Sequence, residues 1–446
     1  MKKLFFFVFL FLVCFLIKDN PTVESIEMGS YCHVPPGVGE VASPNVLLVI
    51  DVSGSMSWCA YNPTSSQNNC CNNSSGCGWT FNGTEEGYFI PNKVYRYNSS
   101  CSVGSYSGPC WEETTGTAST CPKRVADINT SHKYTGACLN FIYMTRVDLL
   151  RWALTGGKPA SCNNNQIQRC DPELYGQPGA NLSCDNYGCI LESTSVQRVN
   201  VPWSRITGSD GGLLFQVKNY PLKPRFGVMF FSGNGVRNNK VYIGDFTGSA
   251  NFDGTNLYKN TITAINYEPP SGATPIAPAL WDAYNYFRQQ SPQYGGFNPS
   301  SGSGDTWKNP LYQCFDDNND GNCQGNEIKP VPCAKNFIIL LTDGQWNRGG
   351  SPVSGACSID IGYENASADP VVPAYKLHKT GFTNPVDNRQ STFYVDSLYG
   401  IGLWLGGTGE RSLKHVTIYG SFDRSKNWPD NLSDYPKATC GPIDDC

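Results

Sequence analysis

The stretch Val46-Leu-Leu-Val-Ile-Asp51-Val-Ser53-Gly-Ser55-Met56 decides how this chain is read. Its first five residues are continuously apolar and rich in β-branched side chains, the composition of a strand buried on both faces of a parallel sheet. Ligands of open α/β sheets bind beyond the carboxyl ends of the strands. Asp51, Ser53 and Ser55 should therefore meet a ligand there, on a tight loop turned at Gly54. One carboxylate beside two hydroxyls is a hard oxygen set that suits Mg²⁺ or Mn²⁺, with water and a partner's carboxylate completing the shell. Taken alone, D-x-S-x-S is equally the pattern of a turn or a helix cap, because Ser and Asp crowd both for local reasons.

Two later segments extend the pattern. Ser271-Gly-Ala-Thr274-Pro-Ile-Ala-Pro-Ala-Leu280 places a hydroxyl on a Gly-bearing loop just before a helix opened by Pro275. Asn336-Phe-Ile-Ile-Leu-Leu-Thr342-Asp343-Gly344 is a second buried strand ending in a carboxylate. In this order the residues resemble the von Willebrand factor type A domain and its metal-ion-dependent adhesion site, a D-x-S-x-S followed by a lone Thr and then T-D-G. The resemblance implies a Rossmann-like α/β fold with a mainly parallel central sheet. It also implies that Ser53, Ser55 and Thr274 ligate the ion directly or nearly so, and Asp51 and Asp343 largely through water.

The chain has 446 residues, of which 46 are Gly and 30 Pro, and only 16% are charged. Much of it is therefore loop, and one α/β core with large insertions fits better than several domains. We expect that core over residues 45–420, with a Cys-rich insertion at 57–137, a second Cys-containing insertion at 158–212, and an acidic tail at 421–446. Helices are expected over 139–155, 256–265, 276–289, 371–379 and 411–419, and strands over 225–231, 240–246 (a short edge strand), 337–341 and 392–402. Net charge is −4 with no block of Lys or Arg, which argues against nucleic acid as a partner.

Met1-Lys2-Lys3 followed by an apolar run from Leu4 to Ile17 reads as a secretory signal within residues 1–20. No small-x-small cleavage triplet follows it, so a retained signal anchor is the alternative; no later segment approaches membrane length. The chain is thus expected to be exported, to the cell surface or the medium. Twenty cysteines agree with that, since no C-x-x-C occurs and disulfides are the default reading outside the cell. The insertions, rich in Asn, Ser, Gly and Tyr, lack the apolar periodicity to bury a core of their own and need covalent staples. With Cys14 in the signal an odd number remains, leaving one thiol unpaired or bridged to another chain.

Asp316-Asp-Asn318-Asn-Asp320-Gly321-Asn322-Cys-Gln324-Gly-Asn-Glu327 satisfies the spacing of a Ca²⁺ loop. Side-chain oxygens fall at Asp316, Asn318, Asp320, Asn322 and Gln324, and Glu327 can bind through both oxygens. Pro310 and Pro330 deny it the usual flanking helices, so we expect a free-standing loop stapled by Cys314, Cys323 or Cys333. An acidic, solvated disulfide loop is the bland alternative.

Glu86-Gly-Tyr-Phe-Ile-Pro91-Asn92-Lys93, Arg225-Phe-Gly227-Val-Met229-Phe-Phe231 and Cys333-Ala-Lys335-Asn336 carry a narrower resemblance, together with the helical stretch from Cys138 to Gly157. Within that stretch Asn140, Arg146, Asp148 and Arg151 are polar residues that helix amphipathicity does not demand. These segments resemble the amino-terminal region of type IV pilus tip adhesins of the PilC/PilY kind, whose carboxyl-terminal β-propeller has no counterpart here. The resemblance implies a metal-dependent adhesion protein that binds an acidic group on a host surface protein, a pilin or a minor pilin, and that assists pilus assembly. The alternative is a structural, disulfide-rich surface component in which metal only steadies the fold. An enzyme is not expected: His33, His132, His378 and His415 are scattered, and neither H-E-x-x-H nor G-x-S-x-G occurs.

Overall fold

The computed structural model describes residues 42–426 except 62–80, 123, 176–180, 246–257, 302–304, 316–325, 345, 347–369, 387–389 and 406. The signal segment, most of the acidic tail and most of the Ca²⁺ loop lie outside the described residues. Twelve strands are described: β1 (Asn45–Asp51), β2 (Val94–Val103), β3 (Tyr106–Thr114), β4 (Lys133–Thr135), β5 (Gly188–Glu192), β6 (Arg198–Pro202), β7 (Arg225–Ser232), β8 (Gly235–Val241), β9 (Tyr312–Cys314), β10 (Ile328–Pro330), β11 (Asn336–Thr342) and β12 (Ser397–Gly402).

The opening apolar run is the centre of a five-stranded sheet ordered β12-β11-β1-β7-β8. β1 pairs in parallel with both β7 and β11, β12 is parallel to β11, and only the edge strand β8 runs antiparallel. Alternate side chains of β1 enter two cores, as the two-residue period requires. Val46, Leu48 and Ile50 join Phe141, Val147, Leu150 and Ile262 on one face. Leu47 and Val49 join Leu280, Phe287, Val371 and Val416 on the other. Helices thus cover both faces, and each fully buried aliphatic side chain contributes about 1.5–3 kcal/mol.

Several elements differ from expectation for identifiable reasons. The helix expected over 139–155 is two helices, Gly136–Tyr143 and Arg146–Thr155. A capping box divides them: Thr145 accepts from Asp148 N while the Asp148 carboxylate takes the Thr145 N–H. The second helix stops, as expected, at Gly156 in the left-handed conformation. The edge strand is β8 rather than 240–246, because a tight turn with Gly233 at φ 65° pairs Ser232 with Gly235 and starts the strand early. The strand expected from residue 392 begins only at Ser397, since Phe393 instead bridges to Phe382.

The two insertions carry strands as well as loop. They build one further sheet, ordered β4-β2-β3-β6-β5, in which Trp111 of β3 pairs with Val199 of β6 and so joins the first insertion to the second. Its apolar content is aromatic rather than aliphatic: Tyr88, Phe89, Tyr95, Trp111 and Tyr134 are buried and share the core of the two helices between the insertions. Trp111 meets the rings of Tyr97 and Tyr134 edge-on. The expected staples are present as Cys101–Cys110, Cys121–Cys138, Cys162–Cys170 and Cys184–Cys189, while Cys59, Cys314 and Cys333 are also disulfide-bonded. No helix among the described residues is long and apolar enough to cross a membrane.

Candidate metal centre

Asp51 is the last residue of β1 and Thr342 the last of β11, so parallel pairing brings both to the same edge of the sheet. Thr342 Oγ1 donates to Asp51 Oδ2 at 2.7 Å. The other oxygen of Asp51 accepts the Ser53 N–H at 2.7 Å, closing the turn that aims the two serines. Ser53 Oγ lies 3.0 Å from Ser55 Oγ, and Ser55 Oγ donates to Asp343 Oδ1 at 2.7 Å.

The loop carrying Thr274 is laced to this turn through its backbone. Gly54 N donates to Gly272 O at 2.8 Å and Ser271 N to Val52 O at 2.7 Å. Gly272 has a φ of 82°, and a Cβ there would come within 2.9 Å of Gly233 N, so only glycine fits. A Cβ placed on Gly344 would stand 3.9 Å from Ser55 Oγ and 4.0 Å from Thr274 Oγ1, which shows both hydroxyls converging on one small space. Asp51, Ser53, Ser55, Thr274 and Asp343 therefore lie near one another at this sheet edge. Ser55 and Gly344 are part-exposed, and the cluster meets solvent on that side.

Burial and the neighbouring Asp343 charge push the Asp51 carboxyl up to about 7. Burial likewise raises Asp343, against the opposing pull of Arg146. Two buried carboxyls that burial holds back from ionising, beside three hydroxyls, offer hard oxygens whose ionised form a small hard cation would stabilise. The residues present thus fit Mg²⁺ or Mn²⁺.

Arg146 is a site residue that sequence reasoning did not assign. Its Nη1 donates to Asp343 Oδ2 at 2.9 Å, and its guanidinium carbon lies 5.2 Å from the Trp58 ring centroid and 5.4 Å from that of Trp404. The available signal was that Arg146, like Asp148 and Arg151, is a polar residue that helix amphipathicity does not demand. Thr342 was read only as the strand's end; its hydroxyl orients Asp51.

The second candidate site is partly visible. Asp316, Asn318, Asp320, Asn322 and Gln324 lie outside the described residues. Glu327 is buried, its carbonyl accepts from Phe315 N at 2.9 Å, and the antiparallel pair β9–β10 closes the base of the loop where flanking helices were not expected. Among the described residues one further group has metal-ligand spacing, Cys101, Cys110 and Glu112, but those two cysteines are disulfide-bonded to each other.

Residues 80–202 match a protein family described as PilY1 homolog, small alpha/beta domain. That stretch holds β2 to β6 and the helices Gly136–Tyr143 and Arg146–Thr155, so it contains the second sheet and Arg146. The match supports a PilY1-like, type IV pilus-related affiliation for this part of the chain. No curated protein and no solved structure matches the chain.

Proposed function

We propose that this chain is an exported binding protein of a type IV pilus system, with a von Willebrand factor A-type core that engages a carboxylate-bearing partner through a divalent metal. The observation that carries the reading is the convergence of Asp51, Ser53, Ser55, Thr274 and Asp343 at one sheet edge, from three separate stretches of sequence. The strand order β12-β11-β1-β7-β8, with helices on both faces, supports the fold assignment. The family match over 80–202 supports the pilus association, and the disulfides support an oxidising compartment.

Ser53, Ser55 and Thr274 would offer neutral oxygens to the ion, while Asp51 and Asp343 supply negative charge behind them. A bound Mg²⁺ or Mn²⁺ would supply an electrophilic position for an outside carboxylate. The part-exposed Ser55 and Gly344 give a partner its approach. The partner class is an acidic group on a pilin, a minor pilin or a host surface protein. We read the site as one for binding, because Thr342 and Arg146 already engage the two carboxylates among the described residues. Ca²⁺ at residues 316–327 belongs to the same proposal as a stabiliser of its loop, supported by the buried Glu327. The test is binding of the chain to purified pili with and without EDTA, alongside Asp51→Ala. Loss of binding in both supports the reading, and binding that survives both removes the metal from the contact.

A further inference from the structure

The metal loop is tied by backbone pairing to the segment that carries Arg146. Ala60 N donates to Met144 O at 2.9 Å and Arg146 N to Trp58 O at 3.0 Å, with Cys59 and Thr145 bridged between them. This short ladder delivers the Arg146 side chain onto Asp343, where it is 2% exposed. Arg146 is also the first residue of its helix, at the end where the helix dipole disfavours a cation. Local preference therefore does not account for an arginine there, whereas the carboxylate does. Arginine stays charged under all ordinary conditions, and its planar fork holds a carboxylate in a set orientation.

Its helix is anchored in turn. Asp148 accepts from Thr145 Oγ1 at 2.7 Å and from Thr194 N and Oγ1 at 2.9 and 2.8 Å, which ties the helix start to the second insertion. A guanidinium so fixed cannot swing away freely when a second cation arrives. Metal entering beside Asp343 would meet the repulsion of a neighbouring like charge at low effective dielectric.

Building on the metal-site reading above, we infer that Arg146 is a resident counter-cation: it holds Asp343 in the metal-free protein and sets the divalent-ion concentration at which the site loads. Removing the charge should weaken the metal-free fold and strengthen metal binding together. A side chain that only filled space would weaken the fold without tightening the site.

The experiment compares the full chain with Arg146→Met, Arg146→Gln and Arg146→Lys by Mn²⁺ calorimetry and by thermal melting in EDTA and in Mn²⁺. Only the Mn²⁺ binding that Asp51→Ala abolishes is counted. The expected result is a lower melting temperature in EDTA for the Met and Gln variants, with Mn²⁺ binding tighter by about tenfold or more. The Lys variant, which keeps the charge, should stay within about threefold of the wild type. The Gln variant retains a donor towards Asp343 and serves if the Met variant does not fold. Neutral variants that bind Mn²⁺ no more tightly than a wild type that does bind it would overturn the inference alone. Absence of Asp51-dependent Mn²⁺ in every variant would overturn the metal-site reading with it.

Discussion

Arg146 and Asp343 form an ion pair of 2.9 Å, with side chains 2% and 0% exposed, between the first turn of a helix and the end of the central strand β11. Their pairing makes the site one of two carboxylates, one of which already has a cation. Removing one member of a buried pair leaves the other charged and unpaired, which costs about 3–5 kcal/mol. Asp343→Ala should therefore lower stability by about that amount in EDTA, measured by urea denaturation. A loss below about 1 kcal/mol would mean that the guanidinium finds equal compensation elsewhere.

Metal binding should depend on pH with a definite sign. Asp51 is pushed up to about 7 by burial and by Asp343, so below that pH a proton competes with the ion. Mn²⁺ affinity at pH 6 should be about tenfold weaker than at pH 8. A flat profile over that interval would show that Asp51 is already ionised at pH 6.

Asp171 tests the same physics away from the metal site. It is buried beside the helical turn Pro172–Leu174, accepts from Glu173 N at 2.9 Å, and burial raises it to about 7. A raised folded-state carboxyl favours the fold below its unfolded value and loses that contribution as pH climbs to the folded one. Stability should thus fall between about pH 4 and pH 7 on this account. Asp171→Asn should flatten that fall and leave the variant more stable than wild type at pH 8, seen in thermal melts across the range. Parallel curves for the two proteins would contradict this.

Asn140 joins the first insertion to the core. Its Nδ2 donates to Glu85 O and Phe89 O at 2.8 and 2.7 Å, and its Oδ1 accepts Phe89 N at 3.0 Å, all in a fully buried setting. Asn140→Ala would leave three backbone groups without partners and should cost about 2–4 kcal/mol. Faster hydrogen exchange at Phe89 N would accompany it. Unchanged protection there would mean that this segment is held by other contacts.

Much of the central sheet was legible because its strands are near-continuous apolar runs, which few other structures bury. Val46 to Ile50 and Phe337 to Leu341 are both interior strands, and their parallel register sets Asp51 level with Thr342, one residue before Asp343. The Thr274 loop was legible through its glycine and the proline that opens the following helix. The second sheet was hidden, because β2 and β3 bury Tyr95 and Trp111 in strands that present no clean alternation. Its strands also pair across about ninety residues, as Trp111 with Val199, and local pattern carries no information about such partners. The two-helix break was written in Thr145 and Asp148, but the apolar spacing on either side masked it. Arg146 stood out as a polar residue without a local reason, yet only the fold brings it to Asp343.

The most direct measurement is the number of Mn²⁺ ions held at pH 8 by the wild type and by Asp51→Ala with Ser53→Ala, counted by electron paramagnetic resonance of free Mn²⁺. The double variant should bind one ion fewer than the wild type and keep its disulfides and secondary structure. Equal stoichiometry and equal affinity in the two proteins would contradict the claim that Asp51, Ser53, Ser55, Thr274 and Asp343 form a metal site.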